Sequence, residues 1–239
     1  MRSLDELLSP DDGWPFVEAW VAETERSVAV TAVNAEVARE TLLALQVTTR
    51  SILGAIAWHA GQIRIDHGWL RLFGSPDDRA AGILGWNESL GATPLDPSLD
   101  GALVVGGDAV GGLFAVNGGR WTTEPGTIHY FAPDRMDWES MDLGHGDFVG
   151  WALTGELETF YDGARWATWE AEVEALPSNQ VISIYPPLGF QGSDGEPIPL
   201  DERDRRAVPA REQWTFLNDI RRQLGPLWRG GPVRFRVSD

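Results

Sequence analysis

The sequence predicts an α+β fold in a single domain spanning 1–239: a mainly antiparallel sheet with helices packed on one face. Short apolar runs split by Gly-rich turns fill residues 102–132, and segments of helical period follow from residue 145. Strands therefore come in runs rather than alternating with helices as βαβ units require. With 43% hydrophobic residues and 12 Trp among 239, the chain can build a sizeable core.

Taken in order, Asp12-Gly13-Trp14-Pro15 places Pro in a first helical turn, and Phe16, Val17, Trp20 and Val21 recur at helical spacing. A strand over Val28–Val33 leads to Asn34 as an N-cap, and Val37, Thr41, Leu42 and Leu45 form the buried stripe of the next helix. Residues 52–73 read as three antiparallel strands, ILGAIAWH, QIRID and WLRLF, with turns at Ala60-Gly61 and His67-Gly68. Ser75-Pro76-Asp77-Asp78 has the pattern of a capped helix start, with Ile83, Leu84 and Trp86 on its apolar side.

The runs ALVVG and LFAVN form a meander, with Asn117-Gly118 as the hairpin turn because a type I′ turn needs positive φ at both central positions. The strand returning through Thr127–Phe131 ends at Pro133. From His145 the period is helical through Phe148, Trp151 and Ala152, then Leu157, Phe160 and Tyr161, and a further helix carries Trp166, Trp169, Val173 and Leu176. VISIY (181–185) is strand-like, 189–208 is a loop or linker after a core of about 28–188, and a last helix runs over 209–225.

Charge narrows the partners. The formal net charge of −17 disfavours nucleic acid and anionic membranes, whose phosphates would repel the chain. Cys is absent, which removes disulfides, thiolate metal sites and Cys nucleophiles. There is no signal-peptide pattern and no apolar run of 18 residues, so a cytoplasmic protein is expected. Residues 121–175 hold 12 acids against Arg135 and Arg165, whereas 200–236 hold nine Arg against five acids. Such runs are usually solvated helix faces; the sharper reading is a docking face for a basic partner, formed by Glu124, Asp137, Glu139, Asp142, Asp147, Glu156 and Glu158.

Motifs for chemistry fail. The glycines at 106, 111 and 112 are not followed by Lys-Ser/Thr, so no P-loop is present, and neither HExxH nor Gly-x-Ser-x-Gly occurs. The His at 59, 67, 129 and 145 have no i,i+4 partners, so no metal and no cofactor is expected. The one constellation that invites catalysis is a pocket of Asp66, His67, Trp69 and Arg71 near the strand turns, as in a hydrolase-like small-molecule enzyme. Asp and Gly are ordinary turn residues, so a structural turn is the favoured reading of that stretch. One pocket lined by Asp66, His67 and Arg71 would support the enzyme reading; their separation would remove it.

The blocks IDHGWLRLFGS (65–75), WNESLG (86–91), GGLFAVNGG (111–119), IHYFAPDRMDWESM (128–141), FVGWALTGELETFY (148–161) and VPAREQW (208–214) resemble an uncharacterised bacterial family, domain of unknown function 2625. That resemblance brings no catalytic residues. More distantly, residues 80–155 are similar to the SUKH (Smi/Knr-like) superfamily, in which a Trp-bearing helix precedes a GGLFAVN-type element, an aromatic strand and a closing helix. Here Gly111–Asn117, Ile128–Phe131 and Gly146–Leu153 fill those places, while the N- and C-terminal thirds are additions. Many members of that superfamily neutralise bacterial toxins, often nucleases, by direct binding. The resemblance implies a non-enzymatic interaction or toxin-immunity protein with a basic toxin or nuclease as partner; the oligomeric state is left open.

Overall fold

The computed structural model describes residues 1–77, 80–91 and 99–225, and the backbone of 233–234. At the N-terminus α1 (Leu4–Leu7) and α2 (Trp14–Glu23) precede the short strand β1 (Val28–Val30). Helix α3 (Ala35–Leu45) starts at the expected cap, where the Asn34 side chain accepts from the Glu36 N–H. Then come α4 (Ile52–His59), the hairpin β2 (Gln62–Ile65) and β3 (Leu70–Phe73), and α5 (Gly82–Gly91). The meander β4 (Ala102–Asp108), β5 (Leu113–Asn117), β6 (Thr127–Ala132) and β7 (Asp137–Gly144) follows. Helices α6 (His145–Thr154), α7 (Leu157–Phe160) and α8 (Trp169–Glu174) lead to β8 (Gln180–Tyr185) and β9 (Phe190–Gln191). The chain continues through β10 (Asp204–Pro209) and α9 (Ala210–Leu224) to β11 (Val233–Arg234).

Strands β1 to β7 form one sheet in sequence order, every neighbour antiparallel. The α+β class and the antiparallel sheet are as the sequence predicts. The packing is fuller than one covered face. Cross-strand partners share a face, so the register Leu72–Gly106–Phe114–Tyr130–Glu139 defines one side and Arg71–Gly107–Leu113–Phe131–Trp138 the other. On the first side Phe114 packs on Phe148 of α6 at 4.8 Å between ring centroids. On the second, Phe131 meets Trp214 of α9 at 4.9 Å and Phe73 stacks on Trp86 of α5 at 4.6 Å. A contiguous core from Val17 to Leu217 joins both sides.

Four local expectations are corrected. Residues 52–59 are a helix, because Ser51 caps the Gly54 N–H and Gly54, Ala55, Ile56 and Ala57 are all buried, which erases the polar stripe that marks a surface helix. The helix expected from Ser75 begins at Gly82; the Ser75 hydroxyl donates to Ala57 O instead of capping, and Asp78 lies outside the described residues. Asn117-Gly118 does not make a two-residue hairpin. The Asn117 amide instead donates to Trp121 O, Thr123 O and Glu124 O, and its oxygen accepts from the Gly119 and Trp121 N–H groups, organising a loop over 118–126. Finally, 189–208 is not simply a loop, since β10 pairs with β8 over Asp204–Pro209 and a 3-10 turn occupies Leu200–Glu202.

Candidate functional site

The Asp66–Arg71 region is held together by structure, not gathered around a cavity. Asp66 and His67 both have positive φ (55° and 56°) at the β2–β3 turn. Asp66 pairs with Arg165 at 2.5 Å, and the Arg165 guanidinium lies over the rings of Trp169 (4.3 Å) and Trp69 (5.0 Å). His67 faces Glu174 at 3.7 Å and Glu170 at 4.0 Å. Trp69 is fully buried against Tyr161, Trp166 and Trp169, which makes it core, not a ligand platform.

Arg71 sits on the opposite face of the sheet from Leu70, buried, and donates to Gly68 O, Pro177 O, Ser178 O and Gln180 O. Burial pushes its pKa down to about 10. Asp66 and His67 open on a surface depression with Glu23–Ser27, Thr154 and Glu158, whereas Arg71 lines a separate void of about 10 Å³ with Phe73, Trp86 and Trp214. Asp66, His67 and Arg71 therefore do not line one pocket.

The seven acids divide. Asp137 pairs with Arg221 (2.9 Å), Glu139 with Arg135 (2.5 Å) and Glu158 with Arg26 (2.7 Å). Arg26 holds the Glu158 carboxyl below the usual carboxylate range. Glu124, Asp142, Asp147 and Glu156 are exposed and have no ion-pair partner among the described residues, although Asp142 accepts from the Ser140 hydroxyl. Topology places three of these four together. Thr127 opposes Gly144, the Thr127 N–H bonds Glu124 O, and Asp147 lies in the first turn of α6, directly after Gly144. Glu124, Asp142 and Asp147 thus share one end of the sheet, while Asp137 lies five residues from Asp142 along β7, roughly 17 Å at strand rise. Glu156 and Glu158 follow the far end of α6.

A second locus was not legible in the sequence. Asp108, 2% exposed, ends β4 inside the run GGDAVGG. Its Oδ1 accepts from the Gly112 N–H (2.7 Å) and the Val110 N–H (3.0 Å), and its Oδ2 accepts from the Tyr130 hydroxyl (2.7 Å). Burial pushes the Asp108 pKa up, against the pull of those three donors and of the Tyr161 hydroxyl, and raises the pKa of Tyr130 and Tyr161 beside it. Gly112 has to be glycine: a Cβ there would stand 2.0 Å from Asp108 Oδ2 and 2.6 Å from the Tyr130 hydroxyl.

Above the two tyrosines lies a cleft of about 290 Å³. Phe160, Leu188 and Ile198 give it apolar walls, Asp134 and Asp162 stand at its exposed rim, and Arg203 closes its base. Arg203 is buried and donates to Ile198 O, Pro186 O, Pro187 O and Phe190 O, tying the 186–198 segment down. The only hint in the sequence is one Asp between glycine pairs in an apolar run. Among the described residues no group of three or more His, Asp or Glu could hold a metal ion, and no helix is long and apolar enough to cross a membrane.

With this geometry in view, comparison with known proteins decides the family. The model "Protein of unknown function DUF2625" matches residues 4–213. The chain belongs to the DUF2625 family. It is 33% identical over 218 residues to a putative uncharacterized protein, YbfG, of Escherichia coli (strain K12), covering 90% of this chain and 94% of that relative. It is 31% identical over 212 residues to an uncharacterized protein of Haemophilus influenzae, covering 87% and 90%. No solved structure matches. As a DUF2625 member with uncharacterised bacterial relatives, the chain takes no assigned chemistry from its family.

Proposed function

We propose that this DUF2625 protein is a non-enzymatic interaction protein that receives a basic partner on the acidic end of its sheet. One observation carries the reading: Glu124, Asp142 and Asp147 lie near the same end of the sheet, exposed and without an ion-pair partner among the described residues, while Asp137, Glu139 and Glu158 are paired with Arg from the same chain. Unpaired carboxylates clustered at one end steer an oppositely charged surface and raise its association rate. A basic toxin such as a nuclease is the partner class such a surface fits, and the similarity of residues 80–155 to the SUKH superfamily supports that version.

The rival account of Asp147 is favourable interaction with the α6 dipole, worth about 0.3–1 kcal/mol and needing no partner. The two separate on charge reversal. Affinity capture from the native lysate at two salt concentrations would compare wild type, Glu124→Arg/Asp147→Arg, and the equally charged control Glu18→Arg/Glu40→Arg. Asp142 is left alone because its φ of 55° would strain an Arg. The reading expects the first variant to lose a basic protein that the control retains, most clearly at low salt. Equal capture by both variants would remove it.

A further inference from the structure

We infer that the cleft over Tyr130 and Tyr161 is a binding site for a guanidinium on an apolar stem, the side chain of a peptide-borne arginine. The inference is independent of the acidic sheet end, which lies elsewhere on β7 and α6. Its basis is the lining of the cleft. Phe160 is 37% exposed although its ring packs on Tyr130 (5.1 Å), Tyr161 (4.9 Å) and Trp151 (5.0 Å), so an aromatic surface is left open in an otherwise closed cluster. A planar guanidinium is the cation best suited to lie on such a face.

Charge agrees. Asp134 and Asp162 stand exposed at the rim with no ion-pair partner among the described residues, and neither forms a side-chain hydrogen bond there. Deeper, the Tyr161 hydroxyl, in a residue only 3% exposed, lies beside the Asp108 carboxylate without a well-formed hydrogen bond. With its proton directed toward Asp108, the hydroxyl oxygen is left to accept an N–H from an occupant. Asp108 lies behind the tyrosines as a further negative group.

Arg165 lies over the Tyr161 ring at 5.6 Å but outside the lining, in which Arg203 is the one cation among the described residues. Its N–H groups are directed to main-chain carbonyls, so it offers no fork to an anion. A volume of about 290 Å³ sits at the lower edge of small-molecule sites, the size of one long side chain.

Isothermal titration of the full chain with acetyl-arginine-methylamide, and with the neutral isostere acetyl-citrulline-methylamide, tests this. The arginine derivative should bind and the citrulline derivative should bind at least about tenfold more weakly, a factor equivalent to about 1.4 kcal/mol. Asp134→Asn/Asp162→Asn, both exposed and so compatible with folding, should weaken arginine binding about tenfold. Glu18→Gln/Glu40→Gln, with the same change in net charge, should leave it unchanged. Tyr161→Phe should weaken it as well while the melting temperature reports an intact fold. Equal affinity for the two ligands, or equal weakening by the rim pair and the control pair, would overturn the assignment.

Discussion

Asp108 is a carboxylate placed where only protein donors reach it. Removing it by Asp108→Ala would strand the Val110 and Gly112 N–H groups and the Tyr130 hydroxyl, and each buried unsatisfied group costs about 1–3 kcal/mol. Urea denaturation should therefore show a loss of about 3 kcal/mol or more. Asp108→Asn should cost less, because the amide oxygen still serves both N–H groups while Tyr130 turns to accept. A small effect of Asp108→Ala would mean that the cluster is solvated. His145 gives a pH prediction. Its Nδ1 is buried and unpartnered, and burial pushes its pKa from 6.5 to about 4. The fold favours the neutral ring, so the stabilisation is complete above about pH 6.5 and is lost as pH falls toward 4. It amounts to at most about 3 kcal/mol, less for the part of the residue that solvent reaches. Between pH 7.5 and 4.5 the wild type should lose more melting temperature than His145→Gln; equal losses would place the acid sensitivity elsewhere.

At the scale of elements, Arg71 works as a clamp between β3 and the segment leading into β8. Its bonds to Pro177, Ser178 and Gln180 carbonyls fix where that strand begins. Arg71→Met should lower stability by about 2 kcal/mol or more, since hydrogen bonds from a charged donor are each worth about 1.5–3 kcal/mol. It should also speed amide exchange around 177–182 ahead of the rest of the sheet; unchanged local exchange would contradict the clamp. What could be read in the sequence was local. The Asn34 cap, the β4–β6 runs and the stripe of α9 are written in adjacent residues. Elements set by distant partners were not: α4 is buried through the consecutive run Gly54–Ala57 and so shows no amphipathic period, β10 exists because β8 lies beside it, and Asn117 spends its amide on a loop. The site followed the same rule. Asp66 and Arg71 are five apart in sequence yet line separate cavities, whereas Asp108, Tyr130 and Tyr161 are far apart in sequence and meet in space.

For the whole molecule, a net charge of −17 is partly settled internally, where Arg26, Arg135 and Arg221 meet Glu158, Glu139 and Asp137. The charge left over is unevenly placed, and function is read from where it remains. Amide chemical-shift mapping of the labelled full chain against an arginine-rich peptide, at low and moderate salt, tests the central claim most directly. The account expects the shifts to concentrate at residues 118–127 and 142–149 at low salt and to fade as screening rises. A second set at Asp134 and Gly163 would report the cleft. Shifts spread evenly over the acids of α2 and α3, or centred on the Asp66–His67 turn, would contradict it.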